Sequence, residues 1–574
     1  PFDHVRVKKQ DTYEDHAGRV SQYRQELETL KSTVEERLTQ INNLTIEDIG
    51  ERTRLTREMY EKSQSFFLDH ESGTGILQKL MRECHDELGG VPDGCEYAIT
   101  GFGSLALGTM TPWSDLEFGV LIGEDREEYR EYFRNFSQLL QVKVINYFRE
   151  TPLRSMGIEP LNDFRSGMEE RDWFWDEVLS SGFSFDGAHW HACKLPLGRQ
   201  SYKITGKVIG DNGREQEVVV GERKDFELIR TPEEMANFQL SSREREDSGE
   251  EKKEVGDYIE RQEDEWFTTD RHLVQGLKTV TLIEGSIDLV SRYRALVREK
   301  EDRGDETRQV SKARAMELLQ EDTDKFQLKL GEEEEGKLID VKKGIYRLGD
   351  RVVVSLANYY GIGADEEVGI TVWQMIEKME EGGILSSDGA NHLREAIAIS
   401  GALRMSTYHH NRGQFETMST YEPATGHLSE SEREILREKT FYINDTGVLH
   451  HFYYVMLPLQ IIIAGFCNEE SHDMAEIVLK IYNLFDDDSY NRGMVYARFL
   501  EYREGMRYLE EASKEKENDM QILQDLYMLY SKAGYIEEAL ETGKKLTALI
   551  LSQSADVSED KKLASSYNNL ANIY

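Results

Sequence analysis

Cysteine is scarce here. The 574 residues hold four (Cys84, Cys95, Cys193 and Cys467), far apart in the chain and with no CxxC pair. That excludes a disulfide framework and a cysteine-rich zinc site, and it suits a reducing, cytoplasmic compartment. Long apolar runs are also missing. The longest, YVMLPLQIIIAGF (Tyr454–Phe466), spans 13 residues and contains Pro and Gln. Such a run is too short to cross a bilayer and suits a buried helix. Basic charge is in deficit too, with 70 Lys and Arg against 109 Asp and Glu for a net charge of −39. A surface of that sign repels nucleic-acid backbones and anionic lipids, so neither DNA nor a membrane is the expected partner. No secretory signal is visible at the start. The chain opens on Pro1 and stops at Tyr574 inside a repeat, so it is expected to be a piece of a longer protein.

Much of the acidity is local. SSREREDSGEEKKEVGDYIERQEDEW (Ser241–Trp266) and GEEEEGK (Gly331–Lys337) read as solvated loops or disordered insertions. Around them the length allows roughly three to five domains. Residues 1–75 read as N-terminal amphipathic helices, with Leu27, Leu30, Val34, Leu38 and Ile41 at helical spacing. Such helices also permit self-association. Residues 76–235 read as a small α+β core, built as strand, turn, strand, helix and strand. An acidic insertion occupies 236–268. A helical domain fills 269–465, where Ile345, Leu348, Val352, Leu356 and Tyr359 share one face and Ser-Ser-Asp (Ser386–Asp388) signals a helix cap.

Residues 466–574 repeat. YNRGMVYARFLEYREGMRYLEEA and LQDLYMLYSKAGYIEEALETGKKL superpose with Tyr496 and Tyr530 in register, 34 residues apart. That is the tetratricopeptide period. SYNNLANIY places Tyr574 next, 44 residues on, after an insertion at Ser552–Lys562. The array is expected to continue beyond Tyr574 and to recruit a protein partner.

One stretch carries chemistry: GFGSLALGTMTPWSDLEFGVLI (Gly101–Ile122). Asp115 and Glu117 alternate in an apolar strand and so face one side. Two like charges side by side are costly without compensation, and a hard divalent cation such as Mg²⁺ (or Mn²⁺) supplies it together with phosphate oxygens. The preceding Gly103-Ser104 turn lets backbone approach a phosphate closely. The segment resembles the polymerase-beta-like nucleotidyltransferase signature, Gly-Ser followed by Asp-x-(Asp/Glu) in a strand. It is most similar to the protein-PII uridylyltransferase branch, matching at Gly103, Ser104, Met110, Thr111, Pro112, Trp113, Ser114 and Asp115. Leu107, Thr109 and Glu117 stand where that branch keeps Arg, Glu and Asp.

The resemblance implies a Mg²⁺-dependent transfer of a nucleoside monophosphate from an NTP to an acceptor hydroxyl, with a protein as the favoured acceptor. It covers roughly residues 80–465 and extends to the helical domain that follows this core, with the tetratricopeptide fusion resembling animal proteins. It also implies a third carboxylate, catalytic base and metal ligand, on a later strand. Asp186 in GFSFDG is the leading candidate, with Asp163, Asp172 and Asp176 as rivals and a turn aspartate before Gly187 as the structural alternative. Gly103, Ser104 and Ser114 are the nucleotide-binding candidates, with Lys194 and Arg199 in HWHACKLPLGR reaching the triphosphate. His189, His191 and Cys193 crowd one short segment too closely for a tetrahedral zinc site. Of the basic residues Lys342, Arg347, Arg351, Arg394 and Arg404, most read as surface cations, with one or two able to face the nucleotide, and His409-His410 read as helix-surface or packing residues. A competing reading stays open, in which the core is degenerate and the protein is a scaffold acting through its repeats.

Overall fold

The apolar stripe of the first helix sets the architecture. In the computed structural model, which describes residues 13–148, 184–185, 202–209, 215–223, 227–237, 271–301, 305–326, 338–363, 369–420, 440–443, 445–468 and 470–553, this helix is α1 (Tyr13–Asn42). Leu27, Leu30, Val34, Leu38 and Ile41 are all buried. They face inward on the molecule itself, against α2 (Ile49–Phe67) and elements further along the chain. The stripe that permits self-association is therefore spent within the chain.

Next comes α3 (Ile76–Glu87), then β1 (Tyr97–Gly101), α4 (Gly103–Leu107), β2 (Asp115–Leu116), β3 (Phe118–Ile122) and α5 (Glu127–Phe148). Beyond these lie the short β4 (Ser184–Phe185), a hairpin of β5 (Tyr202–Ile209) and β6 (Glu215–Arg223), and β7 (Ile229–Arg230). Helices α6 (Pro232–Ala236) and α7 (Arg271–Lys278) precede β8 (Thr281–Gly285) and α8 (Ile287–Glu301). Four strands form one mixed sheet in the order β7-β3-β1-β8, with β1 antiparallel to both neighbours and β3 parallel to β7.

Successive strand residues point to opposite faces, and both faces are covered. Ile99, Val120 and Ile122 join the main core with residues of α3 and α5. Ala98 and Leu121 join a second cluster with Met235, Val274, Leu289, Val290 and Tyr293. The protein is thus mixed α and β, mostly helical, with small mixed sheets. One strand expectation changes. Asp115–Ile122 is not continuous, because regular pairing breaks at Glu117: β2 pairs in parallel with β4, and β3 with β1 and β7.

The helical region packs onto this sheet domain through the main core. It comprises α9 (Asp305–Lys325), a π-helical turn at Lys342–Tyr346 running into α10 (Arg347–Tyr359), α11 (Val372–Glu381), α12 (Ser387–Asn411) and α13 (Thr446–Phe466). The residues predicted to share a face, Ile345 through Tyr359, are all buried. Ser386 caps α12, its hydroxyl accepting from the Gly389 amide at 2.9 Å. A small sheet of β9 (Ile339–Asp340), β10 (Thr417–Ser419) and β11 (Phe441–Tyr442) closes the region. Helix α13 is longer than its apolar run. Among the described residues it is the one helix whose 21 residues suffice, by length and composition, to cross a membrane, and most of it is buried in the protein.

After α14 (His472–Ile481), four helices form two consecutive hairpins: α15 (Ser489–Arg498) with α16 (Tyr502–Glu515), and α17 (Met520–Ala533) with α18 (Ile536–Gln553). The turns inside them are equivalent. Leu500 has φ +60° and Gly534 φ +81°, at positions 34 apart. The Glu501 amide donates to the Tyr496 carbonyl at 3.0 Å, and the Tyr535 amide to the Tyr530 carbonyl at 2.9 Å. The segment after Gln553, where the third unit is expected, lies outside the described residues, as do both acidic insertions.

Candidate functional site

The Gly-Ser turn and Glu117 are brought together by the antiparallel pairing of β1 with β3. Gly101 sits opposite Phe118, so the residues just past each, Phe102 and Glu117, meet at the end of the strand pair. The Phe102 amide donates to the Glu117 carbonyl at 2.9 Å. Gly103 follows with φ +54°. A Cβ built there would lie 2.3 Å from Glu117 Oε2. The glycine is therefore required twice, by its left-handed backbone and by the carboxylate packed against it.

Asp115 and Glu117 are half-buried while Leu116 between them is fully buried. Gly103 and Ser104 are also half-buried. Ser104 is the second residue of α4, and its carbonyl accepts from the amides of Gly108 and Thr109. Gly108 closes the helix with φ +69°, and a Cβ there would sit 2.6 Å from Thr371 Cγ2 of the helical domain. Leu105 ties α4 to the N-terminal helices, its carbonyl accepting from Gln64 Nε2 at 2.9 Å.

Ser114 belongs to a closed turn. Its hydroxyl accepts from the Thr111 amide at 2.9 Å and contacts the Thr111 hydroxyl at 3.0 Å, and its own amide donates to the Thr111 carbonyl. Ser114 is buried, so its hydroxyl shapes the loop that delivers Asp115. Two of the three positions that depart from the resembled pattern are apolar or enclosed. Leu107 packs against the main core. Thr109 is buried, with its hydroxyl lacking a hydrogen-bond partner.

Sequence reasoning missed Gln414. It lies beyond α12, yet its side-chain amide donates to Asp115 Oδ1 at 2.9 Å and to the Trp113 carbonyl. No local motif marks a glutamine 299 residues away, and only the docking of the helical domain brings it here.

Of the remaining candidates, Asp186, Lys194 and Arg199 lie outside the described residues, as do Asp163, Asp172, Asp176, His189, His191 and Cys193. The strand that pairs with Asp115, β4, ends at Phe185, directly before Asp186 in the chain. Among the described residues no group of three or more His, Cys, Asp or Glu side chains is gathered to hold a metal. The Asp115 and Glu117 carboxylates are hard oxygen donors, the type that Mg²⁺ or Mn²⁺ takes, and two of them leave coordination for phosphate oxygens.

The helical-domain cations sort themselves. Arg351 pairs with Asp322, Arg394 with Glu380 at 2.6 Å, and Lys342 lies 3.7 Å from Glu416. Arg404 is no surface cation. It is buried against the rings of Tyr346 and Tyr408, 4.3 and 5.1 Å from their centroids, and its Nε donates to Tyr408 Oη. Near it Asp350 is buried, and desolvation pushes its carboxyl up to about 6. His409 is half-buried, 3.6 Å from Glu35 and edge-on to Trp113, and His410 is exposed beside the Phe441 ring. They line an open groove of about 770 Å³ between α1 and the end of α12, with Lys31, Trp113 and Arg412 among its walls.

Cys84, Cys95 and Cys467 are all free thiols. Comparison of the sequence with models of known protein families and with curated proteins returned no match.

Proposed function

We propose that the chain is a nucleotidyltransferase that moves a nucleoside monophosphate from an NTP to an acceptor hydroxyl, on a protein by preference. The observation that carries this reading is the fit of Glu117 Oε2 into the space a side chain at position 103 would fill. Asp115, two residues before Glu117, is half-buried like it.

Asp115 and Glu117 would hold Mg²⁺ or Mn²⁺, with Asp186 as the third ligand. The ion, when bound, neutralises charge on the phosphates and on the attacking and leaving oxygens. Backbone at Gly103 and the Ser104 hydroxyl hold the β- and γ-phosphates, and Lys194 and Arg199 extend that contact. The acceptor oxygen attacks the α-phosphorus and the bond to the β-phosphate oxygen breaks, releasing pyrophosphate. Asp186 takes the hydroxyl proton. The two equivalent hairpins support tetratricopeptide repeats that recruit the protein partner. The free thiols fit a cytoplasmic setting.

The experiment incubates the protein with each α-labelled NTP and Mg²⁺ or Mn²⁺, beside Asp115→Ala. Label on protein or small-molecule product, lost in the variant, is the expected outcome. No label under any condition, and no NTP-dependent thermal shift, would overturn the enzyme reading. That result would favour the scaffold reading, whose support is Leu107 packing into the core where the resembled family keeps an arginine.

A further inference from the structure

We infer that Gln414 is a positioning residue for Asp115, a helical-domain amide that sets the orientation of the metal-binding carboxylate. The inference rests on the nucleotidyltransferase reading above. The Trp113 carbonyl and the Asp115 carboxylate are both acceptors, so the end of Gln414 that faces them must be the NH₂ group. One amide thus donates to the backbone of residue 113 and to the side chain of residue 115. The first contact anchors it to the turn that precedes β2, and the second fixes the carboxylate relative to that anchor.

Gln414 is itself held. Helix α12 ends at Arg412 in a left-handed conformation, φ +52°. The Gly413 amide then donates to the Tyr408 carbonyl at 3.0 Å, and Asn411 Nδ2 to the Phe415 carbonyl at 3.0 Å. On the far side, Glu416 accepts from Tyr408 Oη at 2.6 Å, and its carbonyl accepts from the Val341 amide at 2.8 Å. Residues on both sides of Gln414 are tied to α12 and to the small sheet. Tyr408 in turn is locked by the buried Arg404. Partners that orient a metal ligand in this way govern metal affinity, typically by about 10- to 100-fold.

The test uses Gln414→Met, similar in length but without donors, and Gln414→Asn, which keeps the amide one methylene short. Phe415→Ala on the same turn, where the side chain is exposed, is the control. Mn²⁺ binding is read by electron paramagnetic resonance of the free ion with a non-hydrolysable NTP analogue present. The Mn²⁺ concentration for half-maximal transfer is read in parallel, with a melting curve for each protein. Gln414→Met and Gln414→Asn are expected to weaken Mn²⁺ binding and raise the half-saturating concentration by roughly 10-fold, with Phe415→Ala unchanged. A purely structural contact would lower the melting temperature and leave both metal readouts at wild-type values, and that result overturns the inference. Asp115→Ala separates the two levels. If it binds Mn²⁺ and transfers label like the wild type, the nucleotidyltransferase reading fails and takes the inference with it. If it is inert while both Gln414 variants match the wild type, the inference alone fails.

Discussion

At Gly103 two independent constraints meet, the φ of +54° and the Glu117 oxygen 2.3 Å from where a Cβ would stand. Gly103→Ala is therefore expected to displace Glu117 or the turn itself. Labelled transfer should fall at least tenfold, and a left-handed alanine costs roughly 1 kcal/mol of stability, measured by urea unfolding. Unchanged transfer would separate the turn from the chemistry. His85 makes a different residue-scale statement. It is buried, with Nδ1 against Tyr132 Oη at 2.7 Å and its ring stacked on Phe136, and Nε2 lies 3.6 Å from Glu284. Desolvation pulls its pKa down to about 4, and His450 is pulled down to about 4 in the same way. Unfolded histidine protonates near 6.5. Between about 4 and 6.5 the unfolded chain binds more protons, so stability is lost as pH falls through that window. His85→Phe should lose less stability than the wild type between pH 7 and pH 5. Equal losses would show that His85 does not contribute.

At the scale of elements, the helices were legible because a 3.6-residue period writes burial directly into sequence. The stripes of α1 and α10 are buried as read, and the Ser386 cap is made. The carboxylate-bearing strand was not legible as to continuity. Alternation predicts a shared side for Asp115 and Glu117, but no local pattern tells a strand where to exchange one partner for another. The hairpins invite a direct test of their equivalence. Gly534 has φ +81°, and a Cβ added there would meet nothing within 4 Å, so Gly534→Ala isolates the backbone contribution. A loss of roughly 1 kcal/mol is expected in thermal or urea unfolding. No loss would mean that the turn relaxes and that the 34-residue register does not depend on it.

For the whole molecule the apolar clusters set the units of cooperativity. One core runs continuously from α1 through the sheet to α13 and as far as Phe499. A separate cluster joins Met506, Leu509, Leu526, Tyr530 and Ala539 in the two hairpins. Hydrogen exchange should therefore show the hairpin helices α16 to α18 opening at a lower free energy than the sheet and the helical domain, which should open together. A single free energy across all of them would contradict two units.

By itself the sequence determined the helical periods and the 34-residue equivalence of Tyr496 and Tyr530. Each is a local rule in which residues a few positions apart meet by backbone geometry alone. Only tertiary structure decided that the N-terminal stripe is consumed inside the chain, that Arg404 lies buried between two tyrosines, and that Gln414 reaches Asp115 across 299 residues. Those contacts depend on how separate elements dock, and docking depends on shape and burial summed over surfaces that no short stretch of sequence contains.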